Sequence, residues 1–173
     1  MKHYLVKLSL LAILVTAFTA VQALPEDSQQ PIRITSDSAI KDNKNGFTVY
    51  EGDVDMNQGS LNIKADKVTI YIENEEVTTI IAEGKPARFK QKPEPDQEDV
   101  LAKALTIEYR VAKKIITLTK NASLDQQGST ITGNIINYDI NAARVEADST
   151  ESDRVEVVIP AKTPSSSSSS EKK

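Results

Sequence analysis

The chain contains no cysteine and no tryptophan, and its single histidine is His3. Without cysteine there is no disulfide framework, no thiolate nucleophile and no sulfur-ligated zinc. With only three Phe and five Tyr, an apolar interior must be filled by Ile, Val and Leu. After the first stretch of sequence there is no apolar run long enough to span a bilayer. There is no phosphate-cradling glycine loop and no G-x-S-x-G elbow.

The first 23 residues have the form of a secretory leader. Lys2 and Lys7 make a positive start, Leu8 to Ala20 is apolar, and Val21-Gln22-Ala23 is a small-x-small cleavage site. Cleavage there predicts an exported chain running from Leu24 to Lys173. His3 goes with the leader. That excludes a Ser-His-Asp triad, a Cys-His pair and a His-ligated metal from the mature protein. Removing Lys2 and Lys7 leaves 19 basic residues against 25 acidic ones, a net charge of −6. An acidic surface does not suit nucleic acid, whose phosphates need a basic footprint.

Residues 24–30 read as a flexible polar start, 31–160 as one domain, and 161–173, "AKTPSSSSSSEKK", as a disordered serine-rich tail. Inside the domain nearly everything alternates with the period of a strand. Leu105, Ile107, Tyr109 and Val111 share one face; Thr106, Glu108 and Arg110 share the other. Ile136, Tyr138 and Ile140 repeat the pattern, as do Val155, Val157 and Ile159. Asn45-Gly46 is a hairpin signal, and "ENEE", Glu73 to Glu76, reads as an exposed hairpin tip. "QGSLNIKADKVTIY", Gln58 to Tyr71, changes its apolar phase partway and predicts two successive strands, with Leu61 and Ile63 on one and Val68 and Ile70 on the next.

A weak repeat runs through the domain. "SDSAI", "ADKVTI", "AKALTI" and "GNIINY" align near Ala39, Val68, Leu105 and Ile136, at intervals of about 30 residues. The longest interval contains "KPEPDQE", Lys92 to Glu98. A second series, "YEGDVDM", "AEGKPARF" and "TKNASL", carries Gly or Asn where a tight turn or bulge is expected. The expectation is a stack of similar β units, each burying its apolar face against its neighbours.

Little of this carries chemistry. Asp53 and Asp55 are spaced for one strand face, as in a carboxylate pair or a calcium ligand set, but they adjoin a turn and read better as solvated surface. Asn121-Ala122-Ser123 fits a glycosylation acceptor, and the repeat explains it better. Lys85, Arg88 and Lys90 form a basic cluster in an acidic chain. They suit phosphate contacts or the lysines that protect a sheet edge. Phe89 stands among them, either as an apolar contact or as core.

"PIRITSDSA", "GDVDMNQGSLNIKADKVTIY", "GKPARF", "LTKNASLDQQGSTITGNIINYD" and "RVEVVIP" together resemble the OstA-like family of periplasmic lipopolysaccharide-transport proteins, over Pro31 to Pro160. The resemblance implies an all-β, open β-jellyroll of stacked antiparallel strands with an apolar interior groove. It implies binding of lipopolysaccharide through its lipid A, passage from an inner-membrane complex to an outer-membrane translocon, no catalysis, no cofactor and no metal. The implied partners are LptC-like and LptD-like jellyroll domains and further copies of the chain, joined head to tail. The lipid-facing positions it implies are Ile32, Ile34, Phe47, Val49, Met56, Ile63, Val68, Ile70, Phe89, Leu105, Ile107, Tyr109, Leu118, Leu124, Ile136 and Tyr138. Edge pairing falls to Ile32, Arg33 and Ile34 at one end and to Val155, Val157 and Ile159 at the other. A sheltered acyl chain of about a dozen carbons gains up to roughly 9 kcal/mol, and an open groove lets it leave again. Two alternatives stand beside this: an exported carbohydrate-active β-solenoid such as a polysaccharide lyase, using Tyr109 or Tyr138 beside a base, and a filament without cargo.

Overall fold

The computed structural model describes residues 27–94, 96–150 and 154–161. The predicted leader, residues 24–26 and nearly all of the serine-rich tail lie outside the described residues. A 3₁₀ turn, Asp27–Gln29, precedes ten strands: β1 (Arg33–Thr35), β2 (Ser38–Asp42), β3 (Phe47–Gln58), β4 (Leu61–Glu73), β5 (Glu76–Gln91), β6 (Val100–Arg110), β7 (Ile115–Gln126), β8 (Ser129–Asp139), β9 (Arg144–Asp148) and β10 (Glu156–Val158). All pairings are antiparallel and sequential from β3 to β8. At one end the short strands β1 and β2 share β3 as partner; at the other, β9 and β10 share β8. The sheet is therefore open, with a free edge at each end.

Tight turns make this meander possible. Gln58 pairs with Leu61 across Gly59-Ser60, and Glu73 pairs with Glu76 across Asn74-Glu75. Asn74 and Glu75 both have positive φ, as do Gln127 and Gly128 in the β7–β8 turn. Those are the backbone angles whose twist matches that of the flanking strands. The Asn45-Gly46 signal is met: Asp42 pairs with Phe47, and the Asp42 carboxylate accepts the Lys44 and Asn45 backbone N–H groups at 3.0 Å.

Each pair of long strands breaks its register at matching positions across the sheet: Glu51/Val54, Lys64/Lys67, Glu83/Ala87, Lys103/Thr106 and Thr119/Ala122; β4 and β5 shift once more near their turn, at Tyr71/Ile72. The matching breaks line up as a crease, and the sheet folds over along it. In a straight strand Tyr109 would lie about 23 Å from Ala102, the partner of Phe89. Instead the Phe89 and Tyr109 rings meet edge to face at 5.7 Å. Likewise the Gln126 amide donates to the Tyr138 hydroxyl at 3.0 Å, although Gln126 is paired with Ser129 at the far end of β8. The result is an open jellyroll of two arms whose apolar faces close on each other. Among the described residues no backbone hydrogen bond joins the arms.

The crease explains the second sequence series. Gly52 and Asp53 in "EGD" and Lys120 and Asn121 in "TKN" have positive φ, and "EGKP" supplies the step in β5. On the concave side the residues are small, because a sharp fold leaves no room: Ala65 opposite Val54, Ala87 opposite Ala104, Ala122 opposite Gly133. The crease also corrects the reading of Gln58 to Tyr71. It holds the turn and one continuous strand, and the phase change is the irregularity at Ala65-Asp66. The first series marks alternate strands. Ala39, Val68 and Ile136 fall in one inward row with Tyr50, Ala82, Ile107, Leu118 and Ala147. Each repeat is thus one hairpin of a meander rather than one coil of a solenoid.

Candidate functional site

The inward faces of the two arms form one apolar interior. In one arm the row from Tyr50 to Ala147 is backed by a second row running from Thr48 through Ile70, Ile80, Tyr109, Ile116 and Tyr138 to Val145. The other arm contributes Ile34, Met56, Ile63, Phe89, Ala102, Leu124 and Ile131, opposite one another in register. Of the lipid-facing positions expected from sequence, Met56, Ile63, Val68, Ile70, Phe89, Ile107, Tyr109, Leu118, Leu124, Ile136 and Tyr138 are all buried here. Ile32 and Ile34 pack against the same cluster, partly buried.

Three expected positions do not belong. Phe47 lies opposite Tyr71 and Val49 opposite Thr69, on the outward face, and the inward places go to Thr48 and Tyr50. The reason is that cross-strand partners share a face, and Val68 and Ile70 face inward. Phe47 meets Tyr71 instead, the rings tilted by 53° with centroids 6.1 Å apart. Leu105 falls in the irregular step between Lys103 and Thr106. Ala104 takes the inward place there, because the crease admits only a small side chain.

The expected phosphate cluster is also reassigned. Lys64, Arg88 and Lys103 lie opposite one another, and Lys90 lies opposite Leu101, all on the outward face. Lys90 is paired with Asp99 at 2.8 Å, and Lys85 is exposed at the crease. The three residues therefore turn away from the interior. Asp53 and Asp55 line one small pocket with Lys64 and Arg88, which lie on the outward face. Asp53 sits in the crease with positive φ. Asp55 accepts from Asn57 at 2.9 Å and Asn62 at 2.8 Å, and pairs with Lys64 at 3.1 Å. Desolvation raises its pKa, but the bonds from Lys64, Asn62 and Asn57 outweigh this and hold it below the ordinary value. Among the described residues no group of acidic or histidine side chains is arranged to hold a metal.

At the expected edges, Arg33 and Ile34 belong to β1, with Ile32 just before it, and Val157 belongs to β10. Val155 and Ile159 flank β10 rather than lie in it. The sequence reading missed β2 and β9 as the other halves of the two edges.

Opposite the crease, the free ends of the arms leave a mouth, a cleft of about 860 Å³. Its two lips differ. On one, Val77, Val111 and Ile140 continue the apolar interior. On the other stand the amides of Gln58 and Gln91. Gln58, Gln91 and Gln126 each follow an inward apolar residue by two positions: Met56, Phe89 and Leu124. Gln58 donates to the Ser28 and Gln30 carbonyls, at 3.3 and 3.0 Å, and Gln126 donates to Tyr138. Gln91 donates to Asp27 at 2.7 Å, and its own oxygen is buried without a partner. Asp27 also accepts the Ser60 backbone N–H and hydroxyl. The start expected to be flexible is thus held in place from Asp27 to Gln30.

Nothing here resembles the lyase alternative. Burial pushes the Tyr138 hydroxyl above its ordinary pKa, although the Gln126 bond opposes this and Asp139 adds to it. A tyrosine base needs the opposite shift. The strands also run antiparallel throughout, in a meander rather than a solenoid.

Residues 33–144 match the family described as LptA/(LptD N-terminal domain) LPS transport protein. The chain belongs to this family. It is a family of transport proteins, not enzymes. The lipopolysaccharide export system protein LptH of Pseudomonas aeruginosa is 39% identical over 138 residues, covering 76% of this chain and 79% of that protein. The lipopolysaccharide export system protein LptA of Haemophilus influenzae is 34% identical over 156 residues, covering 88% and 90%. The fold agrees with a crystal structure of Pseudomonas aeruginosa LptH, described as the LptA-homologous periplasmic component of the lipopolysaccharide transport device. The TM-score is 0.73 at 35% identity, covering 79% of this chain and all of that one.

Proposed function

We propose that the chain is a periplasmic lipopolysaccharide carrier, which shelters lipid A acyl chains between its two arms and hands them on along a row of joined jellyrolls. The observation that carries this is the folded-over sheet itself. It presents a continuous apolar interior, opens along one side, and has no backbone hydrogen bond across the opening among the described residues. Parting the arms therefore leaves every strand ladder intact and costs only side-chain contacts, which an acyl chain replaces at about 0.8 kcal/mol per CH₂. The sugar and phosphate groups stay outside the mouth.

The open edges fit the handing-on. Unpaired N–H and C=O groups of β1–β2 at one end and β9–β10 at the other invite strand addition. Another copy, an LptC-like domain or an LptD-like domain would each continue the sheet and align its interior with the next. Export through the leader over 1–23, with 31–160 as the working domain, places the carrier between the two membranes.

Mass spectrometry of the protein purified gently from its periplasm tests the cargo. A co-eluting lipid A species is expected. Folded protein that carries no lipid, and takes none up from lipopolysaccharide micelles, would show instead a filament without cargo.

A further inference from the structure

The carboxylate of Asp27 occupies a site built by the rest of the fold. Ser60 offers its backbone N–H at 2.6 Å and its hydroxyl at 2.7 Å, and the Gln91 amide offers a third donor at 2.7 Å. The Lys92 backbone N–H donates to the Ser60 oxygen at 3.0 Å, and of the two acceptors in reach of the hydroxyl hydrogen Asp27 at 2.7 Å is nearer than the Lys92 carbonyl at 3.3 Å. Gly59, with φ +59, lets the carboxylate approach; a Cβ there would stand 2.2 Å from its oxygen. The donors sit on the sheet, at the β3–β4 tip and the end of β5. The acceptor sits on a short turn upstream of the first strand.

Every one of these donors is neutral, and no ion pair holds Asp27 among the described residues. The site reads an oxyanion by its shape and hydrogen bonds, so another oxyanion of similar size can make the same bonds and competes against the effective concentration of the tethered Asp27. It lies on the lip of the mouth, lining the same cleft as Ile32, Leu61 and Lys92. Leu61 leads directly into the apolar interior. An amphiphile whose chains lie inside would bring its polar boundary to this point.

We propose that Gly59-Ser60 and Gln91 form an oxyanion pocket for a phosphate or carboxylate of the cargo's headgroup, and that Asp27 fills it in the empty chain. The proposal rests on the carrier reading for its ligand, though not for the pocket. The 3₁₀ turn is then a built-in competitor: cargo displaces it on entry, and it helps to displace cargo on exit. Gln58, which holds the same turn through the Ser28 and Gln30 carbonyls, is freed at the same moment.

The test uses the mature chain and Asp27→Ala, with folding of both checked by amide exchange of the inner strands. Inorganic phosphate is titrated while the Ser60 amide is followed by NMR. The amide is expected to shift in both, at about fivefold lower phosphate in Asp27→Ala than in the wild type. Dodecyl phosphate and dodecanoate are then compared with neutral dodecyl maltoside. If the pocket is mostly self-occupied, Asp27→Ala binds the matching anionic amphiphile about fivefold more tightly and the maltoside equally. Whichever anion gains more names the group. Adding Ser60→Ala is expected to remove the gain. A Ser60 amide that phosphate never moves in folded Asp27→Ala overturns the proposal, as does an equal change for anionic and neutral amphiphiles. If no amphiphile binds either protein, the carrier reading fails, and the phosphate titration still decides the pocket.

Discussion

Phe89→Ala is expected to destabilise the fold by about 3–5 kcal/mol, among the largest losses available from one side chain. Phe89 is only 2% exposed and sits in the inward row with Ile63 and Ala102. Its ring also meets Tyr109 edge to face across the interior, an arrangement worth about 0.5–1.5 kcal/mol beyond burial. The substitution therefore empties a volume and cuts a tie between the arms. Phe47→Ala is the matched control. It removes the same ring from the outward face, where Tyr71 is its aromatic neighbour, and is expected to cost about 1 kcal/mol. Urea unfolding checks both, with an unchanged slope showing that only stability has moved. Equal losses at the two positions would mean that the faces of β3 are assigned wrongly.

Placing lysine at Val155, Val157 and Ile159 together is expected to abolish end-to-end association while leaving the monomer folded. These residues are 38%, 52% and 75% exposed, in and beside the outermost strand of one edge. Their exposure means that the domain does not depend on them; replacing all three is expected to change its stability by no more than about 1 kcal/mol. An added strand would bury them, and like charges on an open edge are how sheets refuse partners. Sedimentation over a concentration series reads the result: the wild type assembles, and the triple variant stays monomeric at every concentration. If the variant assembles as well as the wild type, β10 is not the joint, and β9, the other half of the same edge, becomes the better candidate.

The all-β reading, the hairpin turns and most of the inward positions were legible because strand alternation has a period of two and survives in a single sequence. Ile63, Ile107 and Ile136 follow from that alone, whereas Met56 and Leu118 rest on the family resemblance. One failure lies at the crease. Val100, Ala102 and Ala104 alternate in one phase and Leu105, Ile107 and Tyr109 in the other, so both readings of β6 are locally sound. Size decides between Ala104 and Leu105 at the overlap, and size matters only once the sheet is known to fold there. Phe47 and Val49 failed differently. In "FTVY" hydrophobicity favours Phe and Val as the inward pair, but the register with Val68 and Ile70 turns Thr48 and Tyr50 inward. Pairing register is a property of two strands, not of one.

The lip was hidden for another reason. Met-Asn-Gln, Phe-Lys-Gln and Leu-Asp-Gln end β3, β5 and β7, and the recurrence of Gln two places after a core residue is visible in the sequence. Its meaning was not, because a polar residue at a strand end reads as solvated. Asp27 lies outside every repeat, so no pattern pointed to its contact with Ser60 and Gln91.

The central claim is that cargo lies between the arms and not on the sheet's outer face. Photo-crosslinking residues placed one at a time at Phe89, Leu118 and Tyr138, facing in, and at Phe47, Val49 and Leu101, facing out, test it. The account predicts lipopolysaccharide adducts at the inward positions and none at the outward ones. Adducts confined to Phe47, Val49 and Leu101, on protein that remains folded, would contradict it.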